Sequence, residues 1–150
     1  MKRKLYNALI DWKNDPDRKP LVLEGARQVG KTWLLREFGK NEYQNLVYVN
    51  FHDDPEAQQI FRVDLKVERI MYLLESITHQ KITAGKTLIF MDEIQEAYRG
   101  LDSLKYFCEN AREQHVVVAG SLLGTTHRKV ESYPVGKVNL LTLYPMTFEE

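Results

Sequence analysis

Residues Gly25-Ala26-Arg27-Gln28-Val29-Gly30-Lys31-Thr32 spell the pattern G-x-x-x-x-G-K-[ST]. The apolar run Leu21-Val22-Leu23 leads into it, and the helix-compatible stretch Trp33-Leu34-Leu35-Arg36-Glu37-Phe38 follows. Strand, glycine-bounded loop and helix, in that order, make a cradle for phosphate: successive loop N–H groups converge on the anion, and the helix turns its positive end toward it. Gly25 and Gly30 supply backbone angles that a Cβ opposes. Lys31 adds a full charge for the outer phosphates, and the Thr32 hydroxyl is placed to ligand Mg²⁺. The whole loop, Gly25 to Thr32, is therefore read as nucleotide-binding. Trp33 is carried with it as a contacting position, although its ring reads as core rather than as a platform for a base. By accident the pattern arises in a chain of this length on the order of once in a few hundred. The flanking strand and helix make accident rarer still.

Composition narrows the class. A chain of 150 residues with 43% hydrophobic and 28% charged residues is one globular domain. Lys and Arg together number 21, as do Asp and Glu, so the charge excess typical of a nucleic-acid binder is missing and such a partner has no support. Cys108 is the only cysteine, which rules out an internal disulfide and a zinc set; its helical, apolar setting points to core packing. His52, His79, His115 and His127 lack metal-ligand spacing and read as structural or exposed. The start of the chain is too short in apolar residues and too polar for a signal sequence, and no run approaches a membrane span. The resulting expectation is a soluble cytoplasmic protein without membrane contact.

Along the chain, residues 2–13 read as an amphipathic helix with Leu5, Leu9 and Trp12 on one side. Such a helix either packs on the sheet or lies near a bound base, and both readings stay open at this stage. The helix after the loop is expected to end near Gly39-Lys40, with glycine as its C-terminal cap. Residues 46–51 form a second strand, and Asp54-Pro55-Glu56 starts a helix, with a capping carboxylate and a proline in the first turn. Val67, Ile70, Met71, Leu74 and Ile77 repeat at helical spacing as a core stripe. A turn at 83–86 precedes a third strand, 87–91, apolar on both faces as a central parallel strand is. Leu104, Phe107, Cys108 and Ala111 mark another helix; residues 116–119 and 138–143 are strands four and five. Strands alternating with helices predict a parallel α/β sheet with right-handed crossovers.

Strand three closes in Asp92-Glu93. Acids at the carboxyl end of a central strand stand where α/β sheets bind ligands. Asp92 is assigned to Mg²⁺, mainly through water, because this ion keeps much of its hydration shell. Glu93 is assigned to the water that attacks the terminal phosphate. Strand four ends in Ala119-Gly120-Ser121, where Ser121 either senses the γ-phosphate or merely opens the next helix. Gln95, just past the acids, is a further position that could face the nucleotide.

Four motifs now stand together: the loop at 25–32, Met91-Asp92-Glu93-Ile94-Gln95, Ala119-Gly120-Ser121-Leu122-Leu123-Gly124 and Tyr144-Pro145-Met146-Thr147-Phe148-Glu149-Glu150. In this combination the chain resembles the bacterial and archaeal AAA-type P-loop ATPases that carry an uncharacterised C-terminal domain. The resemblance implies a P-loop NTPase fold, a three-layer α/β/α sandwich around a five-stranded, mostly parallel sheet. It implies ATP and Mg²⁺ as cofactors, a homo-oligomer, and a protein partner engaged through C-terminal regions that family members carry beyond this point. It also implies that residues 1–150 are an ATPase core cut short of those domains. Arg128, between strands four and five, is the candidate for an arginine finger received by a neighbouring subunit. Where the family often has Gly-Arg, this chain has Gly136-Lys137, which keeps the charge but loses the planar fork and puts a phosphate contact there in doubt.

Three functions compete on these residues. The first is Mg²⁺-dependent ATP hydrolysis coupled to rearrangement of something larger. The second is a nucleotide-binding switch whose isolated core turns over negligibly. The third is a P-loop kinase, which Glu93 argues against. The absence of an Asn-Lys-x-Asp stretch after strand three argues against a GTPase.

Overall fold

In the computed structural model, which describes residues 2–25, 30–120 and 133–143, the alternating pattern becomes a sheet covered on both faces. The elements run α1 (Lys2–Asn14), β1 (Leu21–Gly25), α2 (Lys31–Glu42), β2 (Asn45–Asn50), a 3₁₀ turn (Ala57–Gln59), α3 (Ile60–Val63), α4 (Val67–Thr78), β3 (Thr87–Asp92), a second 3₁₀ turn (Ile94–Glu96), α5 (Ser103–Asn110), β4 (His115–Ala119) and β5 (Asn139–Leu143). The five strands lie in the order β2-β3-β4-β1-β5, and every pairing is parallel. This is the expected three-layer α/β/α architecture. All strand carboxyl ends share one edge, and the register aligns three of them: Leu23 with Ala119, and Ala119 with Asp92.

Side-chain alternation along the strands sorts the core into two halves. Leu21, Leu23, Leu88, Phe90, Val117 and Ala119 face α1 and α2, where Leu5, Leu9, Trp12, Leu35 and Phe38 cover them. Val22, Val47, Val49, Ile89, Met91, Val116 and Val118 face α4 and α5, where Ile70, Leu74, Leu104 and Phe107 close the other layer. Each large apolar side chain taken fully from water contributes about 1.5–3 kcal/mol. β3 is buried along its whole length, as a central parallel strand should be. α1 is thus a packing helix, and Cys108 is buried as expected. Asp54 Oδ1 accepts the Ala57 N–H at 3.0 Å, but the helix expected to start at 54–56 opens instead as the 3₁₀ turn at Ala57 and continues as α3 from Ile60.

Gly39 corrects one expectation. It does not end α2, which runs on to Glu42. Its hydrogen faces the sheet, where a Cβ would come within 2.8 Å of Leu46 Cδ1 and 3.1 Å of Leu88 Cδ2. The glycine serves close helix–sheet approach, a demand that tertiary packing sets and local helix signals do not reveal. Trp33 corrects another. α2 buries Leu34, Leu35 and Phe38, and Trp33 lies off that stripe, 55% exposed. It borders an open cleft of about 640 Å³ between α2 and the edge strand β2, shared with Arg36, Lys40 and Leu46.

The opposite edge of the sheet carries a buried polar cluster. His115, at the start of β4, pairs its Nδ1 with the Tyr43 hydroxyl at 2.6 Å and meets the Trp12 ring edge-on. Burial, with the Arg18 and Lys13 charges adding to it, pulls the His115 pKa down from 6.5 to about 4. The unfolded chain therefore takes up this proton first as pH falls. Stability is full above the unfolded value and is lost through the window from 6.5 down to about 4. At about 1.4 kcal/mol per unit, discounted for solvent screening, His115 should withdraw about 2 kcal/mol between neutral pH and the acid end of that window. Urea unfolding at both ends should show this loss in the unsubstituted protein and a shallower loss in His115→Phe. Equal pH slopes in the two proteins would refute it.

Candidate functional site

Gly30 and Lys31 are placed by the junction of loop and helix. Gly30 caps α2 with φ 85° and ψ 19°, a left-handed conformation that costs glycine nothing and other residues strain. Lys31 opens α2 and is only 7% exposed. Its Nζ donates to the Gly25 carbonyl oxygen at 2.6 Å and to the Gly120 carbonyl oxygen at 3.4 Å. These carbonyls belong to the ends of β1 and β4, so the cation sits at the strand edge where the phosphate cradle is read in the sequence. Ala26, Arg27, Gln28, Val29, Ser121 and Arg128 lie outside the described residues, as does the 144–150 stretch.

One carboxylate gathers the next part. Asp92 is buried at the end of β3. Its Oδ2 accepts the Thr32 hydroxyl at 2.7 Å and the Tyr48 hydroxyl at 2.8 Å. Its Oδ1 accepts the Glu93 N–H at 2.9 Å. The alternation of β3 explains the meeting: Leu88, Phe90 and Asp92 share the face that α2 covers, so Asp92 looks toward the first turn of α2 and Thr32. Tyr48 stands opposite Phe90 in the register, one diagonal step from Asp92 on the same face. Burial, and then the Asp92 charge, push the Tyr48 hydroxyl well above the ordinary tyrosine range, so it stays protonated and donates.

Glu93 turns the chain. It has φ 51° and ψ 48°, a left-handed conformation uncommon outside glycine. Gln95 Nε2 donates to Glu93 Oε1 at 2.7 Å. Gln95 Oε1 is buried and has no partner among the described residues. His79 and Arg99 share the left-handed backbone region elsewhere in the chain, so it is the orphaned acceptor beside an acid that sets this turn apart.

Gly25, Gly30, Lys31, Thr32, Asp92 and Glu93 thus come to one edge of the sheet. Lys137 does not. Its Nζ pairs with Glu109 at 3.0 Å, and it precedes β5, at the edge of the sheet opposite Gly25. Tyr48 and Glu24 went unread in the sequence. Glu24, just before Gly25, accepts the Tyr133 hydroxyl at 2.7 Å and the Thr142 hydroxyl at 3.1 Å, which ties the chain before β5 to the base of the loop. Period-two alternation on β2 and β1 was the available signal, but it names a face and not the neighbour across it.

The donor set has a definite chemistry. A hydroxyl and a carboxylate that touch each other offer oxygen only, which suits a hard cation such as Mg²⁺ that draws its other ligands from water and phosphate. Among the described residues no group of three or more His, Cys, Asp or Glu side chains could hold a metal by itself. No helix among them is long and apolar enough to cross a membrane.

Comparison with known proteins agrees with this architecture. The AAA domain family matches residues 17–150. Among solved structures, that of C. elegans PCH-2 is similar, with a TM-score of 0.57 and 12% identity over 97% of this chain and 43% of that chain. Identity this low shows a shared fold, and the present chain spans less than half the length of that relative. No curated protein matches the chain. The extent of the family match, on an all-parallel sheet of this strand order, means that the chain belongs to the AAA domain family of nucleotide-binding, ATPase-type domains.

Proposed function

We propose that this domain binds ATP with Mg²⁺ and hydrolyses it, coupling turnover to a conformational task. What supports this above all is the 2.7 Å contact between Thr32 and Asp92, with the buried Lys31 bridging the ends of β1 and β4 on the same edge. Thr32 and Asp92 are far apart in the sequence, and the fold brings them into direct contact there. In this reading Lys31 and the N–H groups from Gly25 to Thr32, with Trp33 next in line, bind and orient the triphosphate. Thr32 and Asp92 would hold Mg²⁺, which supplies charge neutralisation on the phosphates when bound.

The water oxygen bonds to the terminal phosphorus as the bond from that phosphorus to its bridging oxygen breaks, ADP leaves with the bridging oxygen, and Glu93 accepts the water's proton. Gln95 steadies the Glu93 carboxylate, and its orphaned Oε1 is an acceptor for the water's other hydrogen. Ser121 senses the γ-phosphate, and Arg128 of a neighbouring copy would complete the charge balance in a homo-oligomer. A protein partner engaged through C-terminal regions, and work in the cytoplasm, complete the proposal.

Calorimetric titration with ATP, GTP and ADP, each with Mg²⁺, tests the assignment. ATP should bind at least about tenfold more tightly than GTP, with slow phosphate release following. No heat from any nucleotide would end the nucleotide reading. A GTP preference, or phosphate passed to an added acceptor rather than to water, would move the domain to another class.

A further inference from the structure

The Asp92 carboxylate is unusually constrained for a group beside a cation site. Three donors surround it: the Thr32 and Tyr48 hydroxyls on Oδ2 and the Glu93 N–H on Oδ1. The Tyr48 donor is itself held in place. Its ring packs on Phe90 with centroids 5.0 Å apart, the Arg36 guanidinium lies over the Tyr48 ring at 4.8 Å from its centroid, and Asn50 Nδ2 approaches its hydroxyl at 3.5 Å. Nothing in the phosphate-loop chemistry calls for a tyrosine here, because Thr32 alone already links the loop to Asp92.

We propose that Tyr48 is a positioning residue that sets cation selectivity, by holding Asp92 back from direct coordination. The inference rests on the ATP·Mg²⁺ reading above. With one side of Oδ2 engaged by Tyr48 and the other by Thr32, the oxygen that touches Thr32 has hydrogens on both lone pairs and turns none to the metal, while Oδ1 is held in place by the Glu93 N–H. A cation that keeps its water is then favoured, since its bound waters donate to Asp92. Mg²⁺ does this, whereas Ca²⁺ readily takes carboxylate oxygens directly, in larger and more flexible shells. Removing the Tyr48 hydroxyl frees Asp92 to rotate, and the advantage of Mg²⁺ shrinks. A hydrogen bond to a charged group is worth on the order of tenfold in an equilibrium.

The experiment compares the unsubstituted chain with Tyr48→Phe, which keeps the ring contacts and deletes the donor to Asp92, together with the hydroxyl that Asn50 Nδ2 approaches. Calorimetry measures a nonhydrolysable ATP analogue with Mg²⁺, with Ca²⁺ and with no metal. The metal-free affinity should be unchanged, while the Mg²⁺-over-Ca²⁺ preference should fall by about fivefold or more. An unchanged preference with nucleotide still bound overturns the proposal and leaves the ATP reading intact. Nucleotide binding absent from both proteins overturns both.

A second measurement needs no substitution. Mn²⁺ with the analogue is bound to protein labelled with ¹³C in its aspartate carboxylates, and electron–nuclear double resonance reads the coupling. A weak coupling, that of a carboxylate beyond the first coordination shell, is expected. A strong coupling from direct ligation would refute the role given to Tyr48.

Discussion

Replacing Lys31 with alanine should abolish measurable ATP binding, an affinity loss of at least about a hundredfold, without unfolding the chain. The ammonium is almost fully buried and bonds to carbonyl oxygens at the ends of β1 and β4. Those carbonyls keep the cation in place without neutralising it, so a phosphate that arrives meets a positioned positive charge in a medium of reduced dielectric. A charge-assisted contact there exceeds its value in water several-fold. Lys31→Arg should fail nearly as badly, because a planar, delocalised guanidinium replaces the compact point charge that the Gly25 and Gly120 carbonyls hold. Lys31 belongs to neither apolar core cluster, so circular dichroism should show a helix content and melting point close to those of the unsubstituted protein. A folded Lys31→Ala chain that still binds ATP with undiminished affinity would remove the loop from the site.

The sequence carried much of this arrangement because its signals are local. Glycines at fixed spacing, an apolar strand ending in two acids, and a helical stripe from Val67 to Ile77 each depend on neighbours a few residues away. The strands, their parallel sense and the alternation with helices follow from such patterns. What escaped depends on pairs far apart in the chain. Gly39 resembles a helix cap in sequence, but its role comes from Leu46 and Leu88 pressing on it.

Trp33 resembles core because it is large and apolar, yet helical phase turns it away from the stripe that meets the sheet. Tyr48 looks like any strand aromatic until the β2–β3 register sets it diagonally across from Asp92. At Lys137 the loss of the planar fork already put a phosphate contact in doubt, but the surface it meets instead, Glu109 at the other edge of the sheet, comes from the course of β5. In each case the missing knowledge was which surface a residue meets, and strand order supplies that.

Glu93→Gln should keep ATP·Mg²⁺ affinity within about twofold and lower the hydrolysis rate by about 10²–10⁴-fold, the usual contribution of a general base. The substitution is unusually clean at this position. Gln95 Nε2 donates to Glu93 Oε1, and the amide of the variant keeps an oxygen there to receive it. The left-handed turn at φ 51° strains glutamine no more than glutamate. The Glu93 N–H still reaches Asp92 Oδ1, so the cation site is untouched. Charge and proton affinity are what change, and a loss of turnover alone therefore reports the base. Glu93→Ala lacks this property, because it strands the Gln95 amide as well. Single-turnover phosphate release, read beside calorimetry on the same samples, separates the two quantities. Equal release by the variant and the unsubstituted chain would assign the base to another residue. Weakened binding with proportionate loss of rate would make Glu93 a ligand for the nucleotide's metal and not the acceptor of the water's proton.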